Sequence, residues 1–423
     1  MGKSRNARWL PTWNISGRWN LDEEVFFQPI KKIVSHAALK LSYSLTGDRG
    51  PGLSNSTAII ASSSPFRPFT SVQESGLILS TLGNDELTYE KKTEFNLGID
   101  LGFLENRINV AMDVYTRDNH DLIGTTRTQG VGGEIAKFAN IASMKSHGFE
   151  LSVSSNNIKT KDFSWNTDFI YSIYKNEVTD LNAIATTMDY VSGTGFTMVG
   201  YPHRGLFSIP FAGLDSNGIP MFYNEKGEIT STDLSFQSSD DFSWLKYEGP
   251  TEPTFTGSLG NSFTYKNVHL NVFFTYSGGN VVRLDPVFSY RYSDLTATTR
   301  EFKNRWMVPG DENRTNVPTI LSYRQYYENA ELRNAYSAYN YSTERVAKGG
   351  FIRLKEISVA YDFPKKWLSA LKVSNVSLKL QATNLCLLYA DKKLNGQDPE
   401  FVNSGGVASP VPRQFTMTLR LGL

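Results

Sequence analysis

The chain is nearly without cysteine. Cys386 stands alone among 423 residues, so no intramolecular disulfide can staple the fold. It sits in a strand-like run and reads as an inert, packed thiol. No stretch approaches the roughly 18 consecutive apolar residues of a membrane helix, which excludes helical spans and leaves β-strand spans open. Charge of one sign is not in excess either: 43 Lys and Arg face 42 Asp and Glu, for a net charge of +1. A nucleic-acid binder would carry a basic surplus, so no nucleic-acid partner is expected. The five histidines, His36, His120, His147, His203 and His269, show no HExxH or other ligand spacing, so no metal is expected. There is no GxSxG turn, and Cys386 has no evident base partner. Gly130-Val131-Gly132-Gly133 does not open a helix after a strand, as a phosphate loop must. Neither catalysis nor a cofactor is expected. The opening residues, MGKSRNARWLPTWN, hold no apolar core and do not read as a signal peptide.

What the chain does have is aromatic residues and alternation. Phe, Trp and Tyr make up 13% of it, with 21 Tyr and 26 Phe. Such residues favour pleated surfaces. The last stretch is the plainest case. Phe415, Met417, Leu419, Leu421 and Leu423 fall at every second position, with Thr416, Thr418, Arg420 and Gly422 between them. Successive strand side chains point to opposite faces, so this is a strand with one apolar and one polar face. The pattern recurs at Trp13–Trp19, Leu39–Leu45, Phe95–Phe103, Ile108–Val114, Phe149–Val153 and Phe163–Ile173. It returns at Phe255–Tyr265, Val268–Tyr276, Ile357–Phe363 and Val376–Ala382. Roughly a dozen strands result, most bounded by turn signals.

The connections alternate in length. Short turns are expected at Glu105-Asn106, at Asn156-Asn157 and at Lys266-Asn267, and long polar segments at about 54–75, 179–250 and 280–348. Outer-membrane barrels alternate short periplasmic turns with long extracellular loops. Compact soluble domains seldom carry several long loops without structure of their own.

The residues also carry a resemblance. LPTWNISGRWNLDEEVFF (10–27), LKLSYSLTG (39–47), TYEKKTEFNLGIDLGFLENRINVAMDVYTRDNHDL (88–122), NIASMKSHGFE (140–150) and KTKDFSWNTDFIYSIYKNEVT (159–179) follow one order. GPTEPTFTGSLGNSFTYKN (249–267), RWMVPGD (305–311), GGFIRLKEISVAYDFPKKW (349–367), NL (384–385), QDPE (397–400) and the terminal strand continue it. In that order they resemble the C-terminal barrel part of a SusC/RagA-type TonB-dependent outer-membrane transporter of the Bacteroidota. The resemblance implies an all-β, antiparallel transmembrane barrel portion, of the 22-stranded type when complete, spanning 1–423. Plug and N-terminal domains would be absent from it. It also implies import of a large nutrient, a glycan or a peptide. The implied partners are a SusD-like surface lipoprotein acting as a lid, the TonB complex acting through the missing N-terminal part, and outer-membrane lipid. The family's C-terminus usually ends in an aromatic residue; here Leu423 stands there. The competing reading is a soluble or surface β-rich carbohydrate-binding module, against which the uninterrupted apolar face of the last strand counts.

Two groups of residues are candidates for function. Tyr323, Tyr326, Tyr327, Tyr336, Tyr339 and Tyr341 cluster in the longest loop. Their rings could stack on a ligand or touch the lid lipoprotein, or could fold on one another. Phe415, Met417, Leu419, Leu421 and Leu423 would form the C-terminal assembly strand. Lys40, Lys379 and Arg420 would point into the lumen by alternation. Trp13, Trp19, Trp165 and Trp367 suit interfacial anchoring. The acids Asp240-Asp241 and Asp311-Glu312 read as solvated loop carboxylates, without the spacing of a calcium loop.

Overall fold

A computed structural model describes residues 9–50, 58–64, 72–130, 135–183, 185–193, 195–237, 241–287, 299–368, 373–403, 406–407 and 412–422. Its frame is one eleven-stranded sheet in which each strand pairs only with its neighbours in sequence order. The strands are β1 (Trp13–Asn20), β2 (Val34–Asp48), β3 (Glu90–Phe103), β4 (Ile108–Arg127), β5 (Ala136–Lys159) and β6 (Phe163–Leu181). The rest are β7 (Phe255–Tyr265), β8 (Val268–Gly278), β9 (Phe351–Asp362), β10 (Asn375–Ala390) and β11 (Gln414–Gly422). Every pairing is antiparallel. The outer strands β1 and β11 are each paired on one side.

A meander puts alternate connections at alternate ends. One end carries 21–33, 104–107, 160–162, 266–267 and 363–374; the other carries 49–89, 128–135, 182–254, 279–350 and 391–413. The turn at Lys266-Asn267 closes where expected, with Lys266 at φ +52°. The turn after β3 takes Leu104, Glu105 and Asn106 through positive φ. Asn106 is held there by its backbone N–H, which donates to Ser35 Oγ at 3.0 Å.

The third expected turn is a correction. Asn156-Asn157 lies inside β5, at a break in register between Asn156 and Ile158, and the chain turns at 160–162 instead. Asparagine favours turns, but here its side chain has cross-strand partners. Asn157 Nδ2 donates to Thr167 Oγ1 at 2.7 Å, and Thr167 Oγ1 donates to Asn261 Oδ1 at 2.8 Å. The Trp165 indole also donates to Asn261 Oδ1, at 2.9 Å. A ladder of satisfied polar groups thus crosses β5 to β7.

Register assembles the apolar positions into continuous rows. Leu41, Leu97, Val114, Phe149, Ile173 and Phe255 are successive partners on β2 to β7. Trp165, Phe263, Leu270, Val359, Leu380 and Met417 do the same on β6 to β11. Aromatic residues edge this face at both ends. Trp13 and Tyr43 meet edge to face at 5.2 Å at the loop end, and Trp19 and Phe26 at 6.2 Å at the turn end. The apolar positions of β7 run from Phe255 to Tyr265. At roughly 3.4 Å per residue and a tilt near 40°, they cover roughly 26 Å of height, close to the ~25 Å apolar band of a membrane barrel.

Close packing on this face uses one glycine. A Cβ on Gly257 would collide with the Tyr276 hydroxyl and the Ile170 carbonyl. The tyrosine lies across that gap and donates to Ile170 O at 2.9 Å. The opposite face is polar and charged. Lys40 Nζ meets Asp100 at 2.8 Å with Arg18 beside it at 3.5 Å, and Lys92 and Arg117 flank Glu94 at 2.9 and 2.8 Å. Lys379 lies 3.7 Å from Glu356 on that same face. An apolar outside and a charged inside are the two faces of a barrel wall.

The terminal strand has the expected form. Phe415, Met417, Leu419 and Leu421 are exposed in one row, and Leu423 lies outside the described residues.

Candidate functional site

The long connections at the loop end fold on a core of their own. Tyr190, Phe207, Ile209, Phe222, Leu245 and Tyr339 are among its buried members. The tyrosine-rich segment supplies two helices to this body. Ser322 and Gln325 form a capping box at the start of Tyr323–Glu328. Asn329 caps Ala330–Asn340 by accepting from Leu332 N at 3.0 Å. Ala335, Tyr336, Ala338 and Tyr339 are buried at helical spacing, which turns one face of that helix inward.

The candidate tyrosines therefore separate. Tyr339 is fully buried, and Tyr336 is buried with its hydroxyl donating to Thr319 O at 2.8 Å. Burial pushes both phenols above their usual range. Tyr341 packs edge to face on Phe236 at 6.4 Å. Tyr326 and Tyr327 meet edge to face at 5.4 Å, and Tyr327 is 44% exposed. The Tyr323 side chain lies outside the described residues.

Three buried arginines hold the loops together. Arg283 is 5% exposed and donates to Ser208 Oγ (3.1 Å), Ser342 O (2.8 Å), Val191 O (3.2 Å) and Phe207 O (2.7 Å). Burial among carbonyls lowers its guanidinium to about 10. Arg345 pairs with Glu301 and donates to Asp285 O at 2.6 Å. Asn395 Nδ2 reaches the other Glu301 oxygen at 2.6 Å, and Gln397 Nε2 reaches Asp285 Oδ2 at 2.7 Å. Arg353, at the top of β9, donates to both oxygens of Asp398 at 2.6 and 2.5 Å, with Glu400 at 3.2 Å. These bonds tie 283–285, Glu301, 342–353 and 395–400 into one body.

Between those segments opens a cleft of about 510 Å³. Arg305, Arg314 and Lys393 bring positive charge to its wall; Asp311, Glu344 and Glu301 bring negative charge. Asp311 is partly engaged by its own turn, where its Oδ2 accepts the backbone N–H of Met307 and of Val308 at 3.1 Å each. Glu312 Oε2 accepts from the Trp306 indole at 2.9 Å and from Gly310 N at 2.8 Å, and these bonds hold its carboxyl below the usual range. The RWMVPGD segment is thus a self-braced wall of the cleft. Asp241 accepts from Ser243 N at 2.8 Å, and Asp240 lies outside the described residues. Among the described residues no cluster of His, Cys, Asp and Glu is arranged to hold a metal.

None of the three arginine anchors stood out in the sequence. Arg283 follows two valines in a short strand, and Arg353 alternates with apolar residues in β9. A basic residue embedded in an apolar run was the available signal, because such a residue folds only when paired or hydrogen-bonded.

An antiparallel meander with an apolar outer face, a charged inner face and long loops at one end defines a segment of an outer-membrane β-barrel. Comparison with known proteins narrows this. The chain is 26% identical to TonB-dependent receptor P3 of Formosa agariphila, over 94% of its own length and 39% of the relative's. It is 26% identical to TonB-dependent receptor SusC of Bacteroides thetaiotaomicron, over 99% of its own length and 40% of the relative's. Its structure matches that of the RagAB peptide transporter with a TM-score of 0.78 at 23% identity, covering 99% of this chain and 44% of that one. No protein-family profile matches the chain. The chain is thus similar to SusC-type TonB-dependent receptors of the Bacteroidota, and it spans about two-fifths of the curated relatives it matches.

Proposed function

We propose that residues 1–423 are the C-terminal half of the barrel wall, with its surface loops, in a TonB-dependent importer of large nutrients. Eleven strands are half of a 22-stranded barrel, and the chain covers 44% of the RagAB chain it matches. Plug, TonB-contacting segment and remaining strands would come from outside these residues. A SusD-like lipoprotein would close over the loop body, and the proton gradient would drive uptake through the TonB complex.

The ligand is a peptide, and the mixed charge of the cleft carries that reading. Peptides bear charge of both signs, and the cleft is lined by Arg305, Arg314 and Asp311 and by Lys393 paired with Glu344 at 3.7 Å. A glycan is the second reading, favoured by the exposed Tyr327 ring beside Tyr326, since aromatic faces stack on sugars. Calorimetric titration of the purified chain with a charged peptide mixture and with a neutral oligosaccharide separates the two. The peptide reading expects peptide binding that weakens about tenfold in Arg305→Gln/Arg314→Gln. Oligosaccharide binding that is lost in Tyr327→Ala and indifferent to the arginines would replace it with the glycan reading.

A further inference from the structure

A second cavity is lined by the strands of the sheet and the residues just beyond them. It holds about 490 Å³ at the loop end of β7 to β10, within the usual range for a small-molecule site. Phe255, Tyr276, Ile352 and Tyr389 line it. Tyr276, Ile352 and Tyr389 are successive register partners, in the apolar row that also contains Gly257. The groove is therefore continuous with the face that meets lipid. Because it sits at the loop end, it opens toward the outer leaflet.

Two polar features mark it off from plain lipid contact. Asn280 is 9% exposed, and its Oδ1 has no hydrogen-bond partner among the described residues. Its Nδ2 is directed elsewhere, to Thr251 O at 3.4 Å. A buried acceptor without a donor is costly unless a ligand supplies one. Lys348, exposed at the rim, makes no ion pair among the described residues. The neighbouring Asp391 carboxylate is turned to backbone N–H groups, those of Lys348 at 2.8 Å and Lys393 at 2.9 Å.

We propose that this groove is a specific site for an outer-leaflet lipid with an anionic phosphate and a hydroxyl-bearing headgroup. An acyl chain lies along Tyr276, Ile352 and Tyr389. The phosphate meets Lys348, and a headgroup hydroxyl donates to Asn280 Oδ1. The lipid would seal the barrel wall where the apolar belt gives way to the loop body. The site is separate from the polar cleft, so it does not depend on which nutrient is carried.

The test is native mass spectrometry of the 423-residue chain in mild detergent. Phosphatidylglycerol supplies phosphate and hydroxyls, whereas phosphatidylcholine has the same chains without a headgroup donor or net charge. One phosphatidylglycerol should be retained at least fivefold over phosphatidylcholine. Lys348→Gln should cut that retention about fivefold, the effect of one lysine at an anionic headgroup, and leave phosphatidylcholine unchanged. Ile352→Glu should abolish both. The proposal is overturned if wild type holds the two lipids equally, or if Lys348→Gln changes nothing. It is also overturned if Ile352→Glu, with its strand circular dichroism intact, still retains the lipid. Lys348→Gln alters only an exposed side chain, so it reads the site even if Ile352→Glu does not fold.

Discussion

Two adjacent residues of β10 decide whether this sheet stands in a bilayer. Leu380 faces the apolar row between Val359 and Met417; Gln381 faces the polar side between Ser358 and Thr416. From Asn375 to Leu380 the strand climbs roughly 13 Å, at roughly 3.3 Å per residue and a tilt near 40°. That is about half of a ~25 Å apolar band, so Leu380 sits near the midplane. An arginine on the lipid face at that depth costs ~2–4 kcal/mol, or about 30- to 700-fold in the folding equilibrium. Gln381→Arg adds a charge to a wet face and should cost under about 0.5 kcal/mol. Urea titration of the chain in lipid vesicles, followed by tryptophan fluorescence, measures both. Equal small costs would mean that both faces see water, which is the soluble-module reading. A larger cost for Gln381→Arg would reverse the assignment of the faces.

Three further outcomes follow from the loop body and the outer face. Arg353→Met leaves the Asp398 carboxylate buried without its cation, beside Glu400, and should cost ~3–5 kcal/mol locally; hydrogen exchange should show the amides of 391–403 losing protection while β9 keeps its own. Arg353→Lys, which keeps the charge but not the planar fork, should fall between wild type and that variant. His203 is held below its ordinary 6.5 chiefly by burial, with the adjacent Arg204 adding to this and Glu252 opposing it. Its folded form therefore binds protons more weakly than its unfolded form, so its stability contribution is full above pH 6.5 and shrinks as pH falls below that value. Melting curves between about pH 7.5 and 5 should show a downward slope that His203→Gln reduces. Tyr276→Phe deletes the bond to the Ile170 carbonyl and should cost ~0.5–1.5 kcal/mol in the same urea titration, while Gly257→Val should cost more, because a side chain there displaces the ring.

The sheet was legible in the sequence because each strand carries its own evidence. Phe255–Tyr265 and Val268–Tyr276 alternate without a break, and Lys266-Asn267 turns between them. No distant partner is needed to see this. Alternation was enough to predict which faces share rows, and so where Lys40 and Lys379 would point. It failed where the strand outruns its apolar stretch. β5 extends from Ala136 to Lys159, yet only Phe149, Leu151 and Val153 announced it. Above the membrane band its outward positions are Lys145 and His147, which look like loop in a sequence. Asn156-Asn157 misled for the related reason that turn propensity is local and a bulge is made by its neighbours.

The loop body was hidden more completely, because its order is long-range. The bonds of Arg283 reach back 75 residues to Ser208 and forward 59 to Ser342. Arg353 meets Asp398 across 45 residues. No period in the sequence encodes such pairings. Helix packing also divides the tyrosine cluster, for which rings folding on one another was one of the two readings. Helix Ala330–Asn340 turns Tyr336 and Tyr339 inward beside Ala335 and Ala338, while Tyr327 stays exposed. Tyr339 belongs to the loop core and also lines the cleft. The polar wall of that cleft comes from Arg305, Arg314 and Lys393, residues with no periodicity at all. On the peptide reading, recognition would rest on these residues, which strand alternation does not place. The sheet is readable strand by strand, and the cleft only in three dimensions.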